Sequence, residues 1–196
     1  MNSTAGSSTI VLASASPRRL ELLRQIGIEP IVEPAHVDES LDADVDVAAA
    51  VAGLAAAKAH AIATRRHGED VLVLGADTLV VLDDEPLGKP SDEAEARAML
   101  GRLSGREHRV MTGVALVDAA TGSDVGGVET TVVRFRTLNA DEIDAYVATG
   151  EPLDKAGAYG IQGGAAAFVA ELSGDHSNVV GLPLALVQAL LAELRP

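Results

Sequence analysis

The chain has 196 residues, 47% of them hydrophobic and 22% charged, and this composition excludes a wholly disordered chain and a fibre. A net charge of −14 and an aromatic content of 2% argue against nucleic acid and anionic membranes as partners. The absence of cysteine excludes a disulfide framework, a thiolate zinc site and a thiol nucleophile.

Neither a targeting signal nor a membrane span is predicted. The N-terminal segment lacks the basic stretch that opens a secretory signal. The longest uncharged runs, residues 156–170 and 177–192, are too short and too rich in Gly, Pro or polar residues to cross a bilayer. We therefore expect a cytoplasmic protein without a membrane partner.

Predicted strands and helices alternate in the first half of the chain. Residues 1–8 are small and polar, so we expect them to be frayed and residues 9–196 to form a single domain. Ser16 and Pro17 are typical of a helix start. The predicted elements are a strand at 9–13, a helix from 17 to about 26, an extended segment at 30–37, a helix at 47–66 and strands at 71–74 and 79–82.

The second half continues the alternation. Asn139 and Glu142 have the spacing of a capping box. The order of elements predicts an α/β layered fold with a largely central sheet. The elements are a turn at 83–86, a helix at 91–103, strands at 109–117 and 129–137, a short helix ending near 150, a glycine-rich loop at 150–164, a strand at 165–172 and a helix at 182–194.

Lysines are the first candidate site residues. Only three occur, Lys58, Lys89 and Lys155, and each lies among small, apolar or loop residues. A lysine ammonium is a compact charge that suits a phosphate oxygen. The alternative is that the lysines are ordinary surface charges.

Residues 14–19 form a second candidate, because they follow a predicted strand and open a predicted helix. Backbone N–H groups at a helix start, the hydroxyls of Ser14 and Ser16 and the guanidiniums of Arg18 and Arg19 together suit an anion. The alternative is an ordinary Ser-Pro cap with arginines on a solvated face.

A third candidate is Asp77, in the sequence Gly75-Ala76-Asp77-Thr78 between two hydrophobic runs. A carboxylate placed there must be paired, hydrated or bound to metal, because burying it alone is costly. We expect the small Gly75 and Ala76 to leave space for a ligand. A β-bulge or a turn-capping aspartate is the alternative.

The glycine-rich loop at 150–164 is a fourth candidate. It lacks the spacing of a Walker loop, and Tyr159 and Ile161 would serve no purpose in a flexible connector. The amide of Gln162 offers both a donor and an acceptor, which suits the edge of a base.

The histidines and most of the acidic patch are expected to have no site role. The five histidines show no metal-ligand spacing. The acidic patch at 38–46 is typical of a solvated face. Glu39 is the exception, because a divalent cation needs oxygen ligands.

Seven segments between about residue 10 and residue 191 are read together: LASASPRRLELLRQIGI, VDES, LAAAKA, VLGADTLVVLDDEPLGKP, LSGREHRVMTGVAL, VETTVVRFRTL and YVATGEPLDKAGAYGIQGGAAAFVAELSGDHSNVVGLP. Taken in this order, they resemble the Maf proteins, nucleoside triphosphate pyrophosphatases related in fold to the Ham1/ITPase house-cleaning enzymes. The resemblance implies an ITPase-like α/β fold, with a mixed central β-sheet flanked by helices and two lobes around a cleft. A homodimer is expected from the resemblance alone.

The resemblance also implies a reaction: hydrolysis between the α- and β-phosphates of a nucleoside triphosphate, with Mg²⁺ or Mn²⁺ as cofactor. Asp77 then accepts the proton and Glu39 shares the metal with it. The implied substrate-binding residues are Ser14, Arg18, Lys58, Lys89 and Lys155.

Three positions bear on the substrate. Arg18, Thr78 and Gln162 resemble the branch that acts on dTTP and UTP, whereas members favouring 7-methyl-GTP carry Trp, Gln and Glu there. This set argues against a Ham1-like purine specificity for ITP or XTP. The segment 176–178 departs from the family pattern, in which an aromatic residue precedes a small one.

Another class of function remains open. The Maf proteins are associated with arrest of septum formation, so the chain is alternatively a nucleotide-binding regulatory protein that needs no turnover. The enzyme interpretation requires Lys58, Lys89 and Lys155 to converge with Asp77 in one groove.

Overall fold

One mixed sheet of seven strands organises the computed structural model, which describes residues 9–40 and 46–194. The predicted frayed segment 1–8 and Asp42 and Asp44 of the acidic patch lie outside these residues. The sheet order is β2–β1–β3–β5–β6–β7, with β4 also on β3; β1 runs parallel to β2 and β3, and the other pairs are antiparallel. The strands are β1 (Thr9–Leu12), β2 (Ile31–Val32), β3 (Val71–Leu82), β4 (Glu85–Leu87), β5 (Glu107–Asp118), β6 (Asp124–Phe135) and β7 (Val169–Ser173).

Strand β3 is continuous, so the predicted break at residues 75–78 is wrong. These residues pair with β5 in an unbroken register that sets Asp77 opposite Gly113, which also removes the β-bulge and turn-capping alternatives. On its other edge β3 pairs with β1 over Val71 to Leu74 and with β4 over Val80 to Leu82. Residues 75–79 therefore face no described strand on that edge, and we call this stretch the β3 gap.

Helices flank both faces of the sheet, as the sequence predicts. Ser16 accepts a hydrogen bond from the backbone of Arg19, and Asn139 and Glu142 form the predicted capping box. The α-helices are α1 (Pro17–Gln25), α2 (Val47–Arg65), α3 (Glu93–Leu103), α4 (Ala140–Val147), α5 (His176–Val180) and α6 (Leu184–Leu194).

Two predictions near the C-terminus are wrong in detail. The predicted strand at 165–172 begins as a 3₁₀ helix, Gly164–Phe168, and only Val169–Ser173 is extended. The predicted final helix begins at Leu184, and α5 precedes it. Gly181 separates the two helices because it adopts a φ of 125°, a conformation that L side chains rarely reach.

Alternate residues of β3 pack into two layers. Val71 and Val73 face α2, where they meet Ala55, Ala59 and Ile62. The intervening Leu72, Leu74 and Ala76 join the larger core on the opposite face, which contains side chains of α1, α3 and α6. A strand buried on both faces explains why its sequence is apolar without alternation.

Helix α2 is long and apolar enough, by length and composition alone, to cross a membrane. In the fold it is a core helix lying across β3 and β5. Its buried residues are Val51, Ala55, Lys58, Ala59, Ile62 and Ala63. These buried residues form the face of α2 that packs against the sheet.

Two sheet glycines allow α2 to approach very closely. A Cβ atom on Gly75 would lie 2.2 Å from the carbonyl oxygen of Ala55, and one on Gly113 would lie 2.3 Å from that of Val51. The expectation that Gly75 and Ala76 leave space for a ligand is thus wrong: α2 fills the space beside Gly75, and Ala76 is buried in the core.

Candidate active site

A cleft of about 710 Å³ lies beside the β3 gap, within the size range of small-ligand sites. The loop after β1, the start of α1, the end of β4 and the glycine-rich segment at 150–164 form its walls. The sequence-predicted site residues all line it: Ser14, Arg18, Glu39, Lys58, Asp77, Thr78, Lys89, Lys155 and Gln162.

Lys58 joins the two candidate acidic residues. Its Nζ atom lies 2.6 Å from Asp77 Oδ1 and 2.6 Å from Glu39 Oε1. Lys58 and Asp77 are both buried, so each compensates the other for the loss of water. The hydrogen bond from Lys58 also lowers the pKa of the Glu39 carboxyl. The close approach of α2 to Gly75 places Lys58 within reach of β3.

The same arrangement tests whether a divalent cation fits. One oxygen of Glu39 and one of Asp77 both contact the Lys58 ammonium, so the two carboxylates lie on either side of the same cation. Magnesium is commonly held by one or two carboxylates together with substrate phosphates. No group of three or more acidic or histidine side chains suited to a metal occurs in the described part of the chain. The donor set therefore fits an ion shared with a substrate, rather than one enclosed by protein ligands.

Arg19 closes the β3 gap from within the protein. Its guanidinium donates to the carbonyl oxygens of Ala76 and Gly181, both at 2.8 Å, and to Ser14 Oγ and Thr78 Oγ1, both at 3.2 Å. Burial lowers its pKa, an effect that the nearby Asp77 opposes. Sequence reasoning grouped Arg19 with Arg18 in one anion cradle, but the structure uses Arg19 to fasten three segments together.

Arg18 and Lys155 approach each other across Asp154. Arg18 Nη1 lies 3.7 Å from Asp154 Oδ2, and Lys155 Nζ donates to Asp154 Oδ1 at 2.6 Å. Lys155 also donates to the backbone oxygen of Glu151 at 2.7 Å. The hydrogen bond from Lys155 lowers the pKa of Asp154, which keeps a negative charge between the two cations.

The remaining predicted residues differ in how firmly they are held. The Thr78 hydroxyl lies 3.0 Å from Thr112 Oγ1 and accepts from Arg19. Lys89 follows the end of β4, and its charge contributes to the lowered pKa of Glu39. Gln162 is exposed on the cleft wall, where its amide is free to meet a ligand from solvent.

Tyr159 and Ile161 are buried, as expected of a segment that is not a flexible connector. The Tyr159 hydroxyl lies 2.8 Å from His108 Nε2, and both rings pack edge-on to Phe135. Burial lowers the pKa of His108 to about 4 and raises that of Tyr159. His108 is thus a core residue, consistent with the absence of metal-ligand spacing.

The segment that departs from the family pattern has a structural role. Asn178 is buried in α5, where its amide donates to the Val110 carbonyl oxygen at 2.9 Å and to Thr131 Oγ1 at 3.0 Å. Asn178 ties α5 to β5 and β6, and the cleft is lined instead by the following residues, Val179 to Gly181. Nothing in the isolated sequence signalled this contact.

Comparisons with known proteins agree with the resemblance. A family model described as "Maf-like protein" matches residues 9–194. A dTTP/UTP pyrophosphatase of Moorella thermoacetica is 55% identical over 185 residues, covering 94% of each chain. Another of Symbiobacterium thermophilum is 57% identical over 175 residues, covering 89% of this chain and 88% of that one. A solved HAM1 protein from Coxiella burnetii matches 95% of this chain and 99% of its own, with 18% identity and a TM-score of 0.49. The chain belongs to the Maf family.

Proposed function

We propose that the chain hydrolyses nucleoside triphosphates between the α- and β-phosphates, giving a nucleoside monophosphate and pyrophosphate. The observation that carries the proposal is the convergence of Asp77 and the three lysines on one cleft. The names of the similar relatives, dTTP/UTP pyrophosphatases, support the same reaction and point to dTTP and UTP as substrates.

Charge explains why the cations must be local. A net charge of −14 repels an anionic triphosphate at long range. At physiological ionic strength this repulsion is screened beyond about 8 Å. Inside that distance the cleft presents Arg18, Lys58, Lys89 and Lys155 to the phosphates, while Ser14 offers a hydroxyl.

In the proposed mechanism Asp77 is the general base. Its carboxylate takes a proton from a water molecule whose oxygen forms a bond to the α-phosphorus, and the bond from that phosphorus to the bridging oxygen breaks. Pyrophosphate leaves with that oxygen, and lysine ammonium groups neutralise its charge. Lys58 holds the carboxylate in place through its 2.6 Å bond to Asp77.

Glu39 and Asp77 would hold Mg²⁺ or Mn²⁺ together with phosphate oxygens. Such an ion, when bound, supplies positive charge to the leaving group. Alternatively, Asp77 acts mainly as a metal ligand and not as a base. The two roles predict different responses of turnover to metal. Arg18, Thr78 and Gln162 are the proposed residues of base selection, with Thr78 held in the Arg19 network.

The test is pyrophosphate release from a panel of nucleoside triphosphates, with and without EDTA, by wild type and Asp77→Asn. We expect dTTP and UTP to be cleaved best, EDTA to abolish release and Mg²⁺ to restore it. Because general-base catalysis is worth about 10²–10⁴-fold, Asp77→Asn should lower turnover by at least that order.

Asp144→Asn is the matched control, since Asp144 is an exposed aspartate paired with Arg97 outside the cleft. Its turnover should equal that of wild type. Near-normal release by Asp77→Asn would refute the role of Asp77. Tight nucleotide binding by wild type without any product would favour the regulatory binding protein instead.

A further inference from the structure

Two side chains close a ring around the segment that carries Gln162. This segment, residues 160–164, is called the base segment here. At its first residue the backbone N–H of Gly160 donates to the Tyr146 hydroxyl at 3.1 Å. That hydroxyl donates to Glu151 Oε1 at 3.0 Å, and Glu151 Oε2 accepts from the backbone N–H of Gly164 at 3.1 Å. One hydrogen-bonded path thus joins both ends of the base segment.

The Glu151 carboxylate also fills the space beneath the base segment. A Cβ atom on Gly163 would lie 2.0 Å from Glu151 Oε1. Gly163 has a negative φ of −109°, so no left-handed backbone requires glycine there, whereas the Glu151 carboxylate leaves no room for a Cβ atom. The carboxylate and the base segment therefore fix each other's positions.

Two further features determine what a change of the Glu151 side chain would remove. Burial raises the pKa of Tyr146, so its hydroxyl remains protonated and able to donate to Glu151. Lys155, in contrast, is held by the backbone carbonyl oxygen of Glu151 at 2.7 Å. Replacing the Glu151 side chain removes the support of Gln162 but leaves the carbonyl that holds Lys155.

We propose that Glu151, acting with Tyr146, is a positioning residue that holds the base segment in place for base selection by Gln162. The proposal rests on the proposed pyrophosphatase function. It assigns Glu151 no contact with the reacting phosphates, so its effect belongs in the discrimination between bases and in KM.

The experiment compares Glu151→Ala with wild type on two triphosphates, the one that wild type uses best and one with a different base that it uses poorly. Misplacing a binding group by about 1 Å can cost up to about 10²-fold, so we expect the ratio of the two kcat/KM values to fall at least about tenfold. The change should appear mainly as a higher KM for the better substrate. Inhibition by inorganic tripolyphosphate, a probe without a base, should stay within about twofold of wild type.

Companion variants keep the result interpretable if Glu151→Ala folds poorly. Tyr146→Phe removes only the hydroxyl of the ring and should shift the same ratio in the same direction by a smaller factor. Glu151→Gln retains an oxygen for Gly164 and should recover part of the discrimination. Glu171→Ala is the matched control, because Glu171 lies on β7 outside the cleft, where it pairs with Arg134 of β6. It should change neither the ratio of the kcat/KM values nor the inhibition by tripolyphosphate.

Unchanged discrimination in both Glu151→Ala and Tyr146→Phe would overturn the proposal. An equal loss of tripolyphosphate inhibition and of base discrimination would also overturn it. Glu151 would then support the phosphate-binding residues as much as the base segment. Failure of the pyrophosphatase proposal is a separate result, seen as absence of pyrophosphate release by wild type itself.

Discussion

At the scale of single residues, Asp154 places a negative charge between two cations of the cleft. Its exposed carboxylate pairs with Lys155 at 2.6 Å and lies 3.7 Å from Arg18. If the proposed function holds, a triphosphate that contacts both cations has to displace this carboxylate. Lys155 keeps its bond to the Glu151 carbonyl when Asp154 is neutral, so the lysine stays in the cleft.

We therefore predict that Asp154→Asn lowers the KM for dTTP or UTP while kcat changes little. A unit charge about 4 Å away contributes about 1 kcal/mol in water, which corresponds to about a fivefold change. Steady-state kinetics at constant ionic strength measure it, with Asp144→Asn as the control for net charge. A higher KM would mean instead that Asp154 positions Lys155.

Single residues also show where sequence reasoning stops. Scarcity and apolar surroundings singled out the three lysines, and all of them line the cleft. Arg18 and Arg19 are neighbours of identical type and both line the cleft, yet among the described residues Arg18 pairs only with Asp154, at 3.7 Å, whereas Arg19 donates to four protein groups. The strongest acceptors of Arg19 are the carbonyl oxygens of Ala76 and Gly181, and a carbonyl oxygen leaves no mark in the sequence.

At the scale of elements, the contact between α2 and β3 determines the geometry around Asp77. Glycine inside an apolar run predicts a break in a strand, because glycine is a poor strand former. Here Gly75 instead admits the backbone of α2 to a continuous strand. The sequence predicted both elements, but the close approach depends on how they pack, which local sequence patterns do not encode.

Gly75→Ala should separate the two elements. The new methyl group would lie 2.2 Å from the Ala55 carbonyl oxygen and 2.7 Å from the Ala59 nitrogen, both backbone atoms that cannot rotate away. We expect a loss of at least about 1–3 kcal/mol in the free energy of unfolding, as for other overpacked cores. Turnover should fall as well, because Lys58 moves with α2 away from Asp77.

Denaturant unfolding and pyrophosphate release together check this prediction. Gly101→Ala is the matched control, since Gly101 lies within α3 and a Cβ there would meet nothing within 4 Å. That variant should be stabilised by about 0.4–1 kcal/mol and stay fully active. Unaltered stability in Gly75→Ala would show that α2 shifts without cost.

At the scale of the whole molecule, the buried His108 couples stability to pH. Burial lowers its pKa from 6.5 to about 4, so the unfolded chain binds a proton more readily than the folded one between these values. Stability therefore falls as the pH falls through this window. Each pKa unit of difference between the folded and unfolded states corresponds to about 1.36 kcal/mol. His108 alone therefore accounts for a loss of about 3 kcal/mol in the free energy of unfolding across this window.

Urea unfolding of wild type and His108→Gln from pH 7 to pH 4 measures this contribution. Glutamine is neutral throughout and offers a polar group to the Tyr159 hydroxyl. The free energy of unfolding should therefore fall by about 3 kcal/mol less in His108→Gln than in wild type between pH 7 and pH 4. The comparison concerns slopes, and any constant loss of stability in the variant does not affect it. Parallel curves would contradict the prediction, because they would show that the pKa of His108 is the same in the folded and unfolded states.

The overall architecture was the most predictable level. Alternating strand and helix patterns predicted an α/β fold, and the family resemblance added a mixed central sheet flanked by helices, which the structure confirms. Parallel pairing of β1 with β3 across some sixty residues, and the gap it leaves, could not be predicted from local patterns. Such pairings are decided by the packing of distant segments, as are the bounds of the short C-terminal elements.

The bond between Arg19 and Gly181 spans 162 positions of the chain. During synthesis, the arginine emerges from the ribosome long before the carbonyl group that completes its set of partners. Until then, the loop of Ser14 and the edge of β3 lack the hydrogen bond through Arg19 that joins them to the end of α5. The part of the cleft wall that these segments form should accordingly be complete only after the segment that carries Gly181 has been synthesised.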